Sequence, residues 1–230
     1  MVKGHIPRFY AEDVPATGNV KLSPEQVRHS KALRLRDGET VQLFDGTYEY
    51  EGQLDGTGVK VLAKSEPKPP IGPEITLAVA WPKGSRGDWL VEKATELGVK
   101  AIIPLITKRT VVEPGSTKVA RLRKVAINAC EQSGRTTLPS ISEPMTLHGV
   151  LERRKEFDTV ILAHRNGERL THLHGTRMLV LIGPEGGFDE NELTEALKFD
   201  AHITTLGETT LRTETAAVVV VALLSQLYAP

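Results

Sequence analysis

Cysteine is nearly absent from this sequence, since Cys130 is the only one among 230 residues. A single cysteine excludes an internal disulfide framework and is typical of a reducing compartment. No apolar run reaches the length that a membrane-spanning helix needs, and the first ten residues contain no signal-peptide core. We therefore expect a cytoplasmic protein with no membrane partner.

The common nucleotide-binding fingerprints are also missing. In LIGPEGGF (181–188), Glu185 stands where the dinucleotide motif GxGxxG needs its second glycine, and the Gly-Lys-Ser/Thr ending of a phosphate-binding P-loop is absent. The first absence disfavours a nicotinamide oxidoreductase. Together they argue against phosphate cradling as the role of this turn.

The formal net charge is zero, but the charges are unevenly distributed. Residues 83–135 contain eleven Lys and Arg against five Asp and Glu, whereas residues 136–230 contain eight against thirteen. A local basic surface attracts nucleic-acid phosphates even when the whole chain is neutral. A solvated helix face balanced by an acidic neighbour explains the same counts, so charge alone leaves both interpretations open.

Residues 1–70 are predicted to form a small β-rich domain. Alternating runs between residues 41 and 64 indicate short strands, and Ser23 followed by Pro24 predicts the start of a helix. Asp-Gly pairs, which favour tight hairpin turns, occur at 37–38, 45–46 and 55–56.

A second domain is predicted over residues 71–230, after the proline-rich linker 65–74. Its apolar runs alternate with helical patterns, which is typical of parallel βαβ units and an α/β fold. The predicted strands are 75–82, 101–107, 158–164, 177–183 and 201–207, with a turn at RNGE (165–168); the predicted helices are 88–99, 118–132, 147–155, one starting at Asp189 or Asn191, and 213–228. Within the last helix, 218–224 is apolar nearly all round, as at a subunit interface.

The most informative stretch is 179–217, where two polar turns each follow an apolar run and precede a helix. Side by side, the two turns would form a pocket of backbone groups. A second group of residues suits RNA, because cations contact phosphates and bases stack on rings. The candidates for RNA contact are Arg8, Tyr10, Arg34, Arg36, Arg121, Lys124 and Arg135, with the basic helix 118–132 as a further surface.

Five motifs, found in order along nearly the whole chain, resemble one family. They are LFDG (43–46), EKATELGV (92–99), ACEQSGR (129–135), LIGPEGGF (181–188) and LRTETAA (211–217). The chain is similar to the bacterial ribosomal RNA small-subunit methyltransferases that methylate uridine at ring nitrogen 3 (RsmE), within the SPOUT class. LIGPEGG followed about twenty-five residues later by LRTET carries most of this resemblance.

The resemblance implies a fold and partners that composition does not reveal. It implies an N-terminal PUA-like RNA-binding β-barrel and a C-terminal parallel-sheet domain whose last segment threads a trefoil knot. It also implies a homodimer, S-adenosyl-L-methionine as methyl donor, and small-subunit ribosomal RNA, in the 30S particle or its precursor, as substrate.

The resemblance also implies site residues. The expected cofactor-binding residues are Leu162, His164, Gly183, Pro184, Glu185, Gly186, Gly187, Leu206, Gly207, Leu211, Thr215 and Ala216. Methylation of the ring nitrogen requires loss of its proton, so a base or a cation that stabilises the resulting anion is needed. The catalytic candidates are Arg212 as the cation and Glu185 or Glu214 as the base, with His164 as a third possible base and no metal ion.

One position departs from the family pattern, because Thr209 stands where members commonly have arginine. This weakens any transfer of substrate contacts to the loop around it. Two other functions stay open from sequence: a SPOUT methyltransferase of another RNA position, and a non-catalytic RNA-binding protein of ribosome assembly.

Overall fold

The computed structural model describes residues 6–66, 72–170 and 174–227, apart from the side chains of 116–118. The chain packs as two compact units: the first comprises 1–69 with 127–138, and the second comprises 70–126 with 139–230. The segment 127–138 therefore packs with the first unit, although the sequence places it in the second domain. Residues 67–71 of the predicted linker lie outside the described residues.

The first unit is built on a five-stranded half-barrel sheet. Its elements are β1 (Arg8–Tyr10), β2 (Gly18–Lys21), α1 (Pro24–Ala32), β3 (Thr40–Phe44), β4 (Glu49–Asp55) and β5 (Gly58–Ser65), with strand order β1-β3-β4-β5-β2. The predicted helix start is confirmed, because the Ser23 side chain accepts a hydrogen bond from the Gln26 amide in a capping box. Phe9, Val41 and Leu43 are fully buried at the centre of this unit.

Two of the three Asp-Gly pairs form the expected hairpins. Asp45-Gly46 connects β3 to β4, and Asp55-Gly56 connects β4 to β5. The hairpin prediction is wrong for Asp37-Gly38, which lies between α1 and β3. There the positive φ of Gly38 (86°) serves a helix-to-strand connection instead.

The second unit is a seven-stranded sheet in which every described strand pair is parallel. Its elements are β6 (Glu74–Ala80), α2 (Arg86–Glu96), β7 (Ala101–Ile106), α3 (Ser116–Ser133, ending in the first unit), β8 (Ser140–Ile141), β9 (Met145–Thr146), α4 (Leu147–Leu151) with a 3-10 turn (Glu152–Glu156), β10 (Thr159–Arg169), β11 (Arg177–Ile182), α5 (Glu190–Lys198), β12 (Ala201–Thr205) and α6 (Thr213–Leu227). The strand order is β12-β10-β11-β6-β7-β8, with β9 also paired to β7. The predicted α/β fold is confirmed.

Helices cover both faces of this sheet, which explains why its strands are apolar without alternation. On β11, Met178, Val180 and Ile182 pack in the cluster that contains α2 and α6. Leu179 and Leu181 point to the other face, in the cluster that contains α4 and α5. Successive side chains on a strand alternate between faces, so a strand buried on both sides is apolar throughout.

Helix α6 returns across the sheet after β12. β12 pairs with β10 at one edge, whereas α6 packs on β6 and β11 and beside α2. Val220, Val221 and Leu224 are fully buried in this contact, and Leu223 is 45 % exposed. In the described part of the chain no helix combines the length and apolarity that crossing a membrane requires.

Candidate active site

A cavity of about 470 Å³ lies in the second unit, where β10, β11 and β12 reach their carboxyl ends. Ligand sites of open parallel sheets lie at this edge, because loops there are free to vary without disturbing the sheet. The wall is formed by Arg109, Ala163, His164, Arg165, Asn166, Ile182, Gly183, Pro184, Glu185, Gly186, Gly187, Phe188, Asp189, Glu190, Thr205, Leu206, Gly207, Thr209, Thr210, Leu211, Thr213 and Ala216.

One side of the cavity comes from an irregularity in β10. Ala163 and Glu168 both pair with Thr204, so residues 164–167 bulge out of the ladder. His164, Arg165 and Asn166 in this bulge line the cavity. The turn predicted at 165–168 is therefore wrong, because these residues lie inside a strand that continues to Arg169.

The Gly-rich turn after β11 forms the floor. It is closed by a hydrogen bond from the Gly187 amide to the Pro184 carbonyl (2.8 Å), and Gly187 has a φ of 69°. A side chain at Gly183 would come within 3.0 Å of the Phe188 ring, so glycine keeps this part of the wall open. Thr213, at the start of α6, donates a hydrogen bond to the Gly183 carbonyl (3.1 Å) and joins the turn to that helix.

Arg86, at the start of α2, connects this turn to a buried carboxylate. Its guanidinium lies 3.6 Å from Glu185 Oε1 and 3.5 Å from Glu214 Oε1. Glu214 is buried (6 % exposed), and its Oε2 has no hydrogen-bond partner among the described residues. Arg86 therefore offsets the cost of burying this carboxylate at one of its two oxygens.

The loop after β7 holds the other end of the turn. Arg109 Nη1 donates to the Gly186 carbonyl (2.5 Å), and Lys108 Nζ lies 2.9 Å from Asp189 Oδ2. Asp189 also caps α5, confirming the earlier of the two predicted helix starts. Hydrogen bonds from Lys108 and from the first-turn amides hold the pKa of Asp189 below its usual range.

The opposite wall is the second turn, between β12 and α6. Thr205 Oγ1 donates to the Gly207 carbonyl (3.0 Å), and Gly207 has a φ of 132°, which residues with side chains rarely adopt. Leu206 and Leu211 pack partly buried against the core on this side. The cavity thus combines apolar walls with backbone amides and carbonyls.

Most residues expected to bind a cofactor lie on this cavity, as His164, Gly183, Pro184, Glu185, Gly186, Gly187, Leu206, Gly207, Leu211 and Ala216 do. Leu162 does not, because its side chain is fully buried in the core on the α4 and α5 face. Thr215 also lies off the wall. Contact of these two residues with a cofactor stays a prediction.

The catalytic candidates occupy different environments. Glu185 lines the cavity and its side chain is 46 % exposed. Glu214 is buried beside Arg86 and Arg212 is exposed, and neither belongs to the cavity wall. Of the three, geometry therefore favours Glu185.

Among the RNA candidates, Arg8 is corrected most clearly. It is 8 % exposed, and its guanidinium is hydrogen-bonded to Gln42 (2.9 Å), Glu49 (3.0 Å) and Thr136 (3.1 Å), so it stabilises the first unit. Arg121 is held by a bidentate pair with Asp88 (2.6 Å for both bonds). Arg34, Arg36 and Lys124 are exposed, and Tyr10 and Arg135 are half-buried.

The cations Arg109 and Arg165 line the cavity but were not among the candidates from sequence. Arg109 follows a predicted strand, 101–107, whose carboxyl end lies at the same sheet edge as the cavity. Cations just after a parallel strand were the available signal for it, as they were for Arg165. Arg86 lies in the predicted loop 83–88, and only the fold brings it to the turn.

The chain is similar to known proteins over most of its length. A family model described as RNA methyltransferase domain matches residues 68–225. Ribosomal RNA small subunit methyltransferase E of Synechocystis sp. is 32 % identical over 222 residues, covering 90 % of this chain and 73 % of that protein. The protein of the same name from Rickettsia conorii is 34 % identical over 202 residues, covering 83 % and 82 %.

Solved structures agree with these matches. The ribosomal RNA small subunit methyltransferase E of Neisseria gonorrhoeae, bound to S-adenosyl methionine, superposes with a TM-score of 0.87 at 31 % identity, over 97 % of this chain and 98 % of that one. A Legionella pneumophila protein in complex with the same cofactor gives a TM-score of 0.85 at 30 % identity, with the same coverage.

Proposed function

Because the chain belongs to the RNA methyltransferase family of ribosomal RNA small subunit methyltransferase E, we propose that it methylates ring nitrogen 3 of a uridine in small-subunit ribosomal RNA, with S-adenosylmethionine as donor. The observation that carries this proposal is the cavity at the ends of β10, β11 and β12. Its wall includes residues from the two segments on which the family resemblance rests most, 181–188 and 211–217.

The residues of the cavity fit S-adenosylmethionine. Its volume, about 470 Å³, is within the usual range for small-molecule sites. The donor has an adenosine, a sulfonium and an amino-acid group but no phosphate, which suits a wall of turn backbone and apolar side chains. We propose that Leu206, Leu211 and Ala216 contact the nucleoside. The turn at Gly183 and Gly187 would bring its backbone close to the cofactor. When bound, the cofactor supplies an electrophilic methyl group.

The reaction requires a group that removes the uridine N3 proton. Glu185 is our first candidate, because it is the only one of the two predicted glutamates that lines the cavity. Arg86 lies 3.6 Å from it and orients its carboxylate. His164, in the β10 bulge, is the alternative base. Arg212 and Glu214 remain catalytic candidates, although neither belongs to the cavity wall.

Further features follow from family membership and stay proposals. We assign the first unit to a PUA-like RNA-binding domain, with Arg34, Arg36 and Lys124 as cations for RNA phosphates. A trefoil knot is supported by the course of the chain, in which α6 returns from the edge strand β12 to pack on β6 and β11. We expect the protein in the cytoplasm, where its substrate is assembled.

A homodimer is supported by one apolar surface. Trp89 on α2 and Leu223 and Leu227 on α6 are 42 %, 45 % and 60 % exposed. The two helices pack together, and we propose that a second copy of the chain buries these exposed apolar side chains. This is the exposed side of the helix predicted to lie at a subunit interface.

Methylation at N3 is testable because a methyl group there blocks base pairing. Small-subunit RNA is compared between a bacterial strain without this enzyme activity and the same strain expressing this chain, by reverse-transcription stops and nucleoside mass spectrometry. We expect one new stop and 3-methyluridine. A different methylated nucleoside would indicate another RNA position, and unchanged RNA despite S-adenosylmethionine binding by calorimetry would contradict the substrate assignment.

A further inference from the structure

We propose that Arg109 is a catalytic residue that stabilises the negative charge on the uracil ring when N3 loses its proton. The proposal rests on the proposed function and names the group that the reaction needs beyond a base. Arg109 lines the cavity, whereas Arg212, the cation expected from sequence, does not.

The position of Arg109 is fixed by the turn that it crosses. Its side chain lies over Gly186, where a methyl group in place of the glycine hydrogen would come within 3.1 Å of Arg109 Cδ, and its Nη1 donates to the Gly186 carbonyl (2.5 Å). Within the described residues no other hydrogen bond or ion pair of Arg109 is present. One nitrogen therefore anchors the guanidinium, and its other donors are available to a ligand.

The charges around the cavity leave Arg109 uncompensated. Of the acidic residues on the wall, Glu185 is near Arg86 and Asp189 is paired with Lys108, while Glu190 is exposed at the start of α5. The other basic groups on the wall, His164 and Arg165, both belong to the β10 bulge. His164 Nδ1 accepts from the Asn166 amide (3.3 Å), and Arg165 has no anchoring bond among the described residues. A fixed cation stabilises developing charge better than a mobile one.

The chemistry calls for such a group. As the N3–H bond breaks, the proton passes to a carboxylate or to water and the electron pair stays on the ring, spread over N3, O2 and O4. That pair then forms the N3–methyl bond while the sulfur–methyl pair returns to sulfur. A guanidinium that donates to O2 or O4 binds the anion more strongly than neutral uracil, so it lowers the barrier rather than only tightening binding.

The test compares Arg109→Gln and Arg109→Lys with Arg153→Gln, which changes an exposed arginine that is paired with Glu156 and does not line the cavity. Single-turnover methylation is measured against pH on unmethylated small-subunit particles and on particles whose uridines are replaced by 5-fluorouridine. Fluorine withdraws electrons and makes N3 more acidic. We expect Arg109→Gln to slow the reaction by about 10²–10³-fold, Arg109→Lys by less, and Arg153→Gln to match the unmodified protein.

The pattern of the loss distinguishes charge stabilisation from a structural role. If Arg109 stabilises the anion, the rate loss caused by Arg109→Gln becomes smaller at higher pH and at least tenfold smaller on fluorinated particles. The affinity for S-adenosylmethionine, measured by calorimetry, then changes less than the rate. An equal loss on both particles at every pH, or a loss explained by weaker cofactor binding, would overturn the proposal. If the unmodified protein produces neither 3-methyluridine on the normal particles nor 3-methyl-5-fluorouridine on the fluorinated ones, the proposed function itself fails.

Discussion

Replacing Arg86 by methionine is expected to destabilise the second unit by about 2–3 kcal/mol. The substitution keeps a long side chain but removes the cation that lies beside the buried Glu214 carboxylate, whose Oε2 already has no partner in the described chain. Breaking a fully buried ion pair costs about 3–5 kcal/mol. We expect less here because the Arg86 side chain is 33 % exposed and its nitrogen is 3.5 Å from Glu214, so water partly solvates the pair.

Intrinsic fluorescence can follow this unit selectively, because both tryptophans, Trp81 and Trp89, belong to it. With a urea dependence of about 2 kcal/mol per M, the Arg86→Met midpoint falls by about 1–1.5 M. Glu185→Gln removes only the more exposed ion pair, between Arg86 and Glu185, so we expect it to shift the urea midpoint little.

The double variant Arg86→Met, Glu214→Gln gives the decisive comparison. Removing both charges leaves no buried unpaired ion, so its destabilisation is smaller than the sum of the single variants by about 1–2 kcal/mol. Arg153→Met, which breaks an exposed pair, is the control. A midpoint for Arg86→Met equal to that control, or strict additivity in the double variant, would refute the reasoning.

Three further predictions concern the turn, the thiol and the pH dependence. Gly207→Ala, at a φ of 132°, is expected to lower the affinity for S-adenosylmethionine, measured by calorimetry, at least tenfold. The control is Gly98→Ala, at a φ of 94° just after α2, which should leave this affinity unchanged. Both variants strain the backbone by about 1–3 kcal/mol, so strain alone does not distinguish them. Burial raises the pKa of the Cys130 thiol to about 11 from 9.0, so at pH 8 it reacts with iodoacetamide about a hundredfold more slowly than a free thiol until urea unfolds the chain; equal rates would contradict its burial. Burial and the hydrogen bond to Asp45 raise the pKa of Tyr50 to about 12 from 10.0, so its contribution to stability is complete below pH 10 and is lost as pH rises towards 12. Unfolding midpoints measured by circular dichroism fall over that window in the unmodified protein and less in Tyr50→Phe.

Five of the seven strands and the five described helices of the second unit were predictable because each leaves a local pattern, whereas the two-residue strands β8 and β9 were not predicted. Strands buried on both faces are apolar throughout, and α5 begins at a residue that caps it. The β10 bulge was not predictable, because RNGE has the composition of a turn and only pairing with β12 keeps it in a strand. The packing of 127–138 with the first unit depends on contacts distant in sequence, such as that of Glu131 with the Tyr10 amide.

The parts of the candidate site that are formed by single turns could be predicted from the sequence. The contacts between charged residues and turns that are distant in the sequence could not. Gly183 and Gly207 lie in the stretch with the two polar turns, and both line the cavity. Arg86 is the first residue of α2, Arg109 lies in the loop after β7, and Arg109 lies 77 residues before Gly186, too far for a local pattern to link the two. Leu162 lies one step along β10 from the wall residue Ala163, so its side chain faces the other side of the sheet.

The way the turn is held bears on how catalytic variants must be interpreted. Glu185 and Glu214 share Arg86, so removal of either carboxylate changes the partner of the other as well as any proton transfer. Loss of activity in Glu214→Gln alone would therefore not identify a base. A base is identified only if the variant changes the pH dependence of the single-turnover rate while its unfolding midpoint and cofactor affinity stay close to those of the unmodified protein. Because Glu185 lines the cavity and Glu214 does not, we expect that combination from Glu185→Gln, and a lowered midpoint from Glu214→Ala.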